Sequence, residues 1–208
     1  MAETMQPPKE PKKLAVLISG GGSNLQAIID AVETGKMNAT IQIVVSSNGT
    51  AFGLERAKKH GIKTAVACLK DFSSMQQRDK FIVDSLAPLN IDYVVLAGYL
   101  GILTTDFIAS YKNRIVNIHP SLLPKFGGAG MHGLNVHKAV IEAGDPFSGA
   151  TVHLVDDGID TGKILAQKML RVLPTDTPES LQKRIIEEIE HKLLVQTLGL
   201  LCIDLIKT

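Results

Sequence analysis

Leu14-Ala-Val-Leu-Ile18 contains no polar residue, and Gly20-Gly-Gly-Ser-Asn24 follows almost at once. A run so short and so uniformly apolar predicts a strand covered on both faces, the condition of a parallel sheet. Leu25 to Val32 then carries apolar residues at helical spacing, so the chain opens as strand, glycine loop and helix. The alternation continues. Ile41–Val45, Lys63–Val66, Tyr93–Leu96 and Ile115–Ile118 read as strands. Phe52–Lys59, Met75–Leu86 and a short segment from Thr104 or Thr105 to Tyr111 read as the helices between them. Such alternation predicts an α/β fold: an open, mostly parallel twisted sheet with helices on both faces. Further on, Pro120–Gly133 reads as a long loop and Val136–Ala143 as a helix. Ala150–Val155 and Ile164–Val172 read as strands joined by Asp156–Gly162. Thr177-Pro-Glu179 supplies a cap, a first-turn proline and an early acid for a helix running to about Leu200.

The chain has 208 residues, with 22 Lys and Arg against 21 Asp and Glu. The length suits one domain, assigned to 14–208, behind a polar, proline-bearing flexible tail at 1–13. The near-balance of charge gives no electrostatic case for nucleic acid or an anionic membrane. No apolar run reaches the ~18–20 residues of a membrane span, and the tail carries no secretory pattern. A cytoplasmic protein is expected. Cys68 and Cys202 read as buried thiols and cannot form a four-thiolate zinc site.

The glycine loop carries the first chemical signal. A tight loop that ends a strand and starts a helix leaves backbone N–H groups without partners, and the helix dipole adds to them. Such a site suits a phosphate: Gly20, Gly21 and Gly22 let the backbone come close to it, and Ser23 and Asn24 can add side-chain hydrogen bonds. A plain tight turn would not need three glycines. A dinucleotide fingerprint is not met, because Leu25 stands where the third glycine belongs and Ser46-Ser-Asn48 supplies no acid. A Walker loop is not met either. A phosphomonoester is the better expectation.

The second signal is Asn117-Ile-His119-Pro120. Strand alternation puts Asn117 and His119 on one face, at the carboxyl end where open α/β sheets bind ligands. An amide beside an imidazole can hold a carbonyl oxygen as it becomes an oxyanion, and the imidazole can exchange a proton. The plainer alternative is a core histidine. Asp156-Asp157-Gly158-Ile159-Asp160 supplies loop acids that could orient such a histidine. Calcium-loop spacing is absent, and no metal is expected.

Taken together, these residues resemble the folate-dependent phosphoribosylglycinamide formyltransferase family. The anchors are Leu17–Ile29, Leu96-Ala-Gly-Tyr99, Asn117-Ile-His-Pro-Ser-Leu-Leu-Pro124 and Gly149–Asp160. The resemblance implies a Rossmann-like formyltransferase fold. It also implies attack by the amine of glycinamide ribonucleotide on the formyl carbon of 10-formyltetrahydrofolate. By position, Asn117, His119 and Asp160 match the family's catalytic trio. Gly22, Ser23, Asn24, Gly98 and Glu190 match its ribonucleotide contacts. Leu100, Gly101, Ile102 and Leu103 match its folate pocket, with Asn117 and the loop Asp156, Asp157, Gly158, Ile159 and Asp160. On this reading Asn117 and a protonated His119 hold the oxyanion, and Asp160 keeps His119 charged and relays a proton. No metal is implied, and a homodimer is left open.

Two departures stand out. Many members carry arginine where Gly101 stands, and a basic residue near Met75, for which Arg78 could substitute. Folate binding is therefore expected to lean on backbone and apolar contacts. The loop Lys125–Gly133 is longer than in short-loop members. His153 reads as a core or supporting histidine. His132 and His137 read as surface residues.

Overall fold

The computed structural model describes residues 10–208. Most of the expected tail, residues 1–9, lies outside the described residues. The sheet starts earlier than the apolar run suggested: strand β1 is Lys12–Ile18. Lys12 and Lys13 already sit in parallel register with Ala39 and Thr40, and Lys13 N–H donates to Asp92 Oδ2 at 2.8 Å. Lysine stems can cover a sheet edge while their ammonium groups reach water.

The order continues as α1 (Ser23–Glu33), β2 (Ala39–Ser46), α2 (Phe52–Lys59), β3 (Thr64–Val66), α3 (Met75–Leu86), β4 (Tyr93–Leu96), α4 (Thr105–Ser110) and β5 (Ile115–His119). Then come α5 (Leu134–Glu142), β6 (Phe147–Leu154), β7 (Ile164–Arg171), α6 (Pro178–Ile185), a π-helical turn (Ile186–Glu190) and α7 (His191–Cys202). The final helix is thus not uniform, although it starts as expected. Thr177 Oγ1 accepts from the Ser180 N–H, and Ser180 Oγ accepts from the Thr177 backbone N–H, closing a capping box around Pro178.

Among the described residues, seven strands form one sheet in the order β3-β2-β1-β4-β5-β6-β7. β1 to β5 pair in parallel, while β6 runs antiparallel to β5 and β7 antiparallel to β6. The apolar run of β1 feeds both faces. Leu14, Val16 and Ile18 pack on one side with Leu25, Ile28 and Ile29 of α1 and with Leu194 and Leu198 of α7. Ala15 and Leu17 pack on the other with Ile82 and Leu86 of α3 and Phe107 of α4. Each fully buried large side chain of this kind contributes roughly 1.5–3 kcal/mol by burial. Cys68 and Cys202 are both buried and free.

This strand order sets the site. After β1 the chain winds toward β2, and after β4 it winds the other way toward β5. Adjacent strands whose connections depart in opposite directions leave a crevice at their carboxyl ends. The glycine loop leaves β1 there, Gly98 follows β4, and Asn117 and His119 end β5.

Candidate active site

The crevice holds a cavity of about 590 Å³. On one wall, Gly22 is the N-cap of α1 and has φ 71°, a left-handed conformation with no side-chain cap. A Cβ at Gly22 would come within 2.7 Å of Gly53 Cα, so only glycine fits between the loop and α2. Gly20 and Gly21 face open space instead. Ser23 and Asn24 begin α1 and line the same wall.

Glu190 ends the π-helical turn and reaches this wall from the far end of the chain. It is buried, and its carboxylate Oε2 accepts from Asn24 Nδ2 at 2.8 Å. Burial pushes the Glu190 carboxyl above its ordinary range, with the Asn24 amide pulling the other way. Asn24 Oδ1 is buried without a hydrogen-bond partner among the described residues.

The centre of the crevice brings together residues distant in sequence. His153 Nδ1 lies 2.9 Å from the Leu154 carbonyl, which can only accept, so Nδ1 carries the proton. His153 Nε2 is then the acceptor for Asn117 Nδ2 at 3.0 Å. This fixes which end of the Asn117 amide is the donor end. His119 Nε2 lies 2.9 Å from the Phe126 carbonyl and donates to it. His119 Nδ1 faces Asp160 Oδ2 at 3.4 Å. Asp160 has φ 59°, a left-handed backbone that Asp tolerates better than most residues. Its Oδ2 accepts from Gly128 N–H at 3.0 Å, and its Oδ1 lies 3.6 Å from His153 Nε2.

The electrostatics revise one expectation. Burial pushes His119 below the ordinary imidazole range, ahead of the opposing pull of Asp160 and of the Phe126 carbonyl. At neutral pH the resting imidazole is therefore mostly neutral, rather than held charged by Asp160. Asp160 itself lies below its ordinary range. Burial raises it, but the pull of His153 and His119 when either ring is protonated, with the Gly128 N–H, outweighs that effect. The site thus keeps an ionised carboxylate beside a neutral imidazole, an arrangement that welcomes a proton arriving on Nδ1.

Two backbone segments form the remaining walls. Leu100, Gly101, Ile102 and Leu103 follow β4, and Asp156 to Asp160 follow β6. The first is tied down along its length. Leu100 N–H donates to Ser19 Oγ at 2.8 Å, Arg78 donates to the Ile102 carbonyl at 2.6 Å, and Thr104 N–H donates to Asp79 Oδ2 at 2.6 Å. Arg78 and Asp79 are each 2% exposed and form an ion pair. Arg78 is therefore not the stand-in basic residue suggested for the folate side. Its guanidinium is spent inside the protein, because a buried charge persists only when paired. Gly101 is filled from behind: a Cβ there would lie 2.7 Å from the Tyr99 ring. The second segment folds on itself, since Asp156 Oδ1 accepts from Gly158 N–H at 3.1 Å and from Thr161 Oγ1 at 2.7 Å.

All the residues expected at the site line the crevice, so the structure gathers what the sequence scatters. The expected placement of one histidine also fails. His137 is not on the surface but fully buried on α5, lines the crevice, and has no hydrogen-bond partner for either ring nitrogen among the described residues. Burial, with His119 nearby, pushes it down to about 4. The signal available was its place beside Val136 and Val140 on the buried stripe of α5.

Residues 12–198 match the family model described as formyl transferase. The chain is 43% identical over 197 residues to the chloroplastic phosphoribosylglycinamide formyltransferase of Arabidopsis thaliana, covering 94% of this chain and 67% of that one. It is 45% identical over 177 residues to the phosphoribosylglycinamide formyltransferase of Haemophilus influenzae, covering 85% of this chain and 81% of that one. The crystal structure of glycinamide ribonucleotide transformylase 1 from Symbiobacterium toebii superposes with a TM-score of 0.89 at 35% identity, over 95% of this chain and 90% of that one.

Proposed function

Because the chain belongs to the formyl transferase family, we propose that it formylates the amine of glycinamide ribonucleotide in purine biosynthesis, with 10-formyltetrahydrofolate as donor. The observation that carries this reading is the meeting of Asn117, His119 and Asp160 between an uncapped helix start and two ordered backbone walls.

In this proposal the ribonucleotide phosphate lies on the N–H groups of Gly22, Ser23 and Asn24, with Gly98 and Glu190 along the same substrate. The folate lies against Leu100–Leu103 and Asp156–Asp160. The attacking amine needs neither a covalent nucleophile nor an acid stronger than an imidazole. It needs two substrates held in line and a place for developing negative charge. Asn117 offers the oxyanion an amide N–H whose orientation His153 fixes. His119 offers the Nε2–H now given to Phe126. As the amine bonds to the formyl carbon it loses one proton, and the departing folate nitrogen gains one. His119 carries that proton on Nδ1, where Asp160 lies 3.4 Å away and stabilises the imidazolium while it exists. Asp160 thus acts at the loaded stage of the cycle rather than by charging the resting histidine.

The test follows formyl transfer from 10-formyltetrahydrofolate to glycinamide ribonucleotide by absorbance. Asn117→Ala, His119→Ala and Asp160→Ala are each expected to lose ~10²–10³ in turnover. Near-normal turnover in any two of them, or no transfer by the unaltered protein, would overturn the proposal.

Among the described residues, no helix is long and apolar enough to cross a membrane.

A further inference from the structure

The glycine loop is gripped from behind by α2. The Gly20 carbonyl accepts from the Gly53 backbone N–H at 3.1 Å, and the Gly21 carbonyl accepts from Arg56 Nε at 2.9 Å. A trans peptide is planar, and its N–H points opposite to its C=O. Pinning these two carbonyls onto α2 therefore turns the N–H groups of Gly21 and Gly22 away from α2. Both residues line the crevice and adjoin the uncapped first turn of α1. Successive N–H groups aimed this way make a nest for an anion.

The two anchors differ in kind. At Gly53 the donor is backbone, and Ile18 Cδ1 and Gly22 Cα leave no room for a side chain. At Arg56 the donor is a side chain, itself held from two sides. Arg56 Nη1 donates to Gln26 Oε1 at 3.1 Å, and the guanidinium lies 5.0 Å from the centre of the Phe52 ring. Gln26 is held in turn by Asp30, to which its Nε2 donates at 2.8 Å. Arg56 thus brings a fixed direction and a positive charge to the back of the loop.

We infer that Arg56 is a positioning residue for anion recognition: it orients the Gly21–Gly22 peptide so that the loop accepts a phosphomonoester. The inference rests on the proposed placement of the ribonucleotide phosphate.

The experiment measures ribose 5-phosphate and ribose binding by calorimetry for the unaltered protein, Arg56→Ala and Arg56→Lys. Melting temperature, the KM for each substrate and kcat are measured alongside. Arg56→Ala is expected to weaken ribose 5-phosphate roughly tenfold or more and to raise the ribonucleotide KM, with the formyl-donor KM unchanged. Arg56→Lys, which keeps the charge and one donor, is expected to recover part of the loss, and it carries the test if the alanine variant does not fold. Ribose 5-phosphate affinity unchanged in the folded variants overturns the inference. So does an equal rise in both KM values, which marks general damage. If the unaltered protein binds ribose 5-phosphate in this Arg56-dependent way but transfers no formyl group, the functional proposal fails and the inference stands. If the unaltered protein shows no ribose 5-phosphate binding at millimolar concentration, the inference falls.

Discussion

Asn24 and Glu190 lie 166 positions apart in the chain and meet at 2.8 Å, amide to carboxylate, inside the protein. The contact fastens the start of α1 to the end of the π-helical turn, so the anion wall and the last helix hold each other in place. It also means that the Asn24 Nδ2 group is already engaged, leaving the backbone N–H of Asn24 for a ligand.

Asn24→Ala should leave a buried carboxylate without its donor. A cost of about 1–3 kcal/mol is expected at neutral pH in urea unfolding. Glu190 is already pushed up by burial, and removing Asn24 removes the contact that holds it down. A carboxyl raised in the folded state destabilises once it must ionise, so the cost of the variant should shrink as pH falls and Glu190 takes up its proton. A cost independent of pH would contradict this account.

His119 should titrate below the ordinary imidazole range when followed by its ring-proton NMR signals. Asp160 raises the His119 value against the larger effect of burial. Asp160→Asn should therefore move the midpoint lower still. An upward move would mean that Asp160 does not act on His119 through its charge.

His137 supplies an acid-sensitive element of stability. Its value falls from the ordinary 6.5 to about 4 on folding. Between those limits the unfolded chain binds a proton there and the folded chain does not. Stability is thus full above about pH 6.5 and lost as pH falls toward 4, with up to ~3 kcal/mol at stake. Thermal melts of His137→Leu should decline less steeply across this window than those of the unaltered protein.

Gly101 and Tyr99 form a space-sharing pair. Gly101→Ala should cost about 1–3 kcal/mol by overpacking, because its Cβ would meet the Tyr99 ring at 2.7 Å. Burial pushes the Tyr99 hydroxyl up to about 12, and it has no hydrogen-bond partner among the described residues. Tyr99→Phe should accordingly be neutral or stabilising by about 1 kcal/mol in the same denaturation assay.

Much of this was legible in the residues alone. The strands announce themselves because β1, β4 and β5 are buried on both faces, and burial of that kind leaves short, uniformly apolar runs. Asn117 and His119 were readable because strand alternation fixes their common face. What escaped depended on partners. Arg78 and Asp79 are buried because they neutralise each other, and no periodicity of single residues reports a pair. His137 is buried on α5, which packs against α6, an approach the sequence does not encode locally. The charge state of His119 depends on how much solvent is excluded around it, a property of the assembled crevice. Asp160 owes its aim to a left-handed φ of 59°, which its residue type permits but does not demand.

The π-helical turn between α6 and α7 has a geometric consequence. One residue more per turn slips the angular phase of everything downstream by about 100° relative to an unbroken α-helix. The slip keeps the later residues on the side that faces the sheet: Leu181 and Ile185 before it and Leu194 and Leu198 after it are buried in the same core. Excising a single residue within 186–190 would remove the slip and the extra residue together, leaving the later leucines seated while costing the turn that carries the Glu190 carboxylate to Asn24.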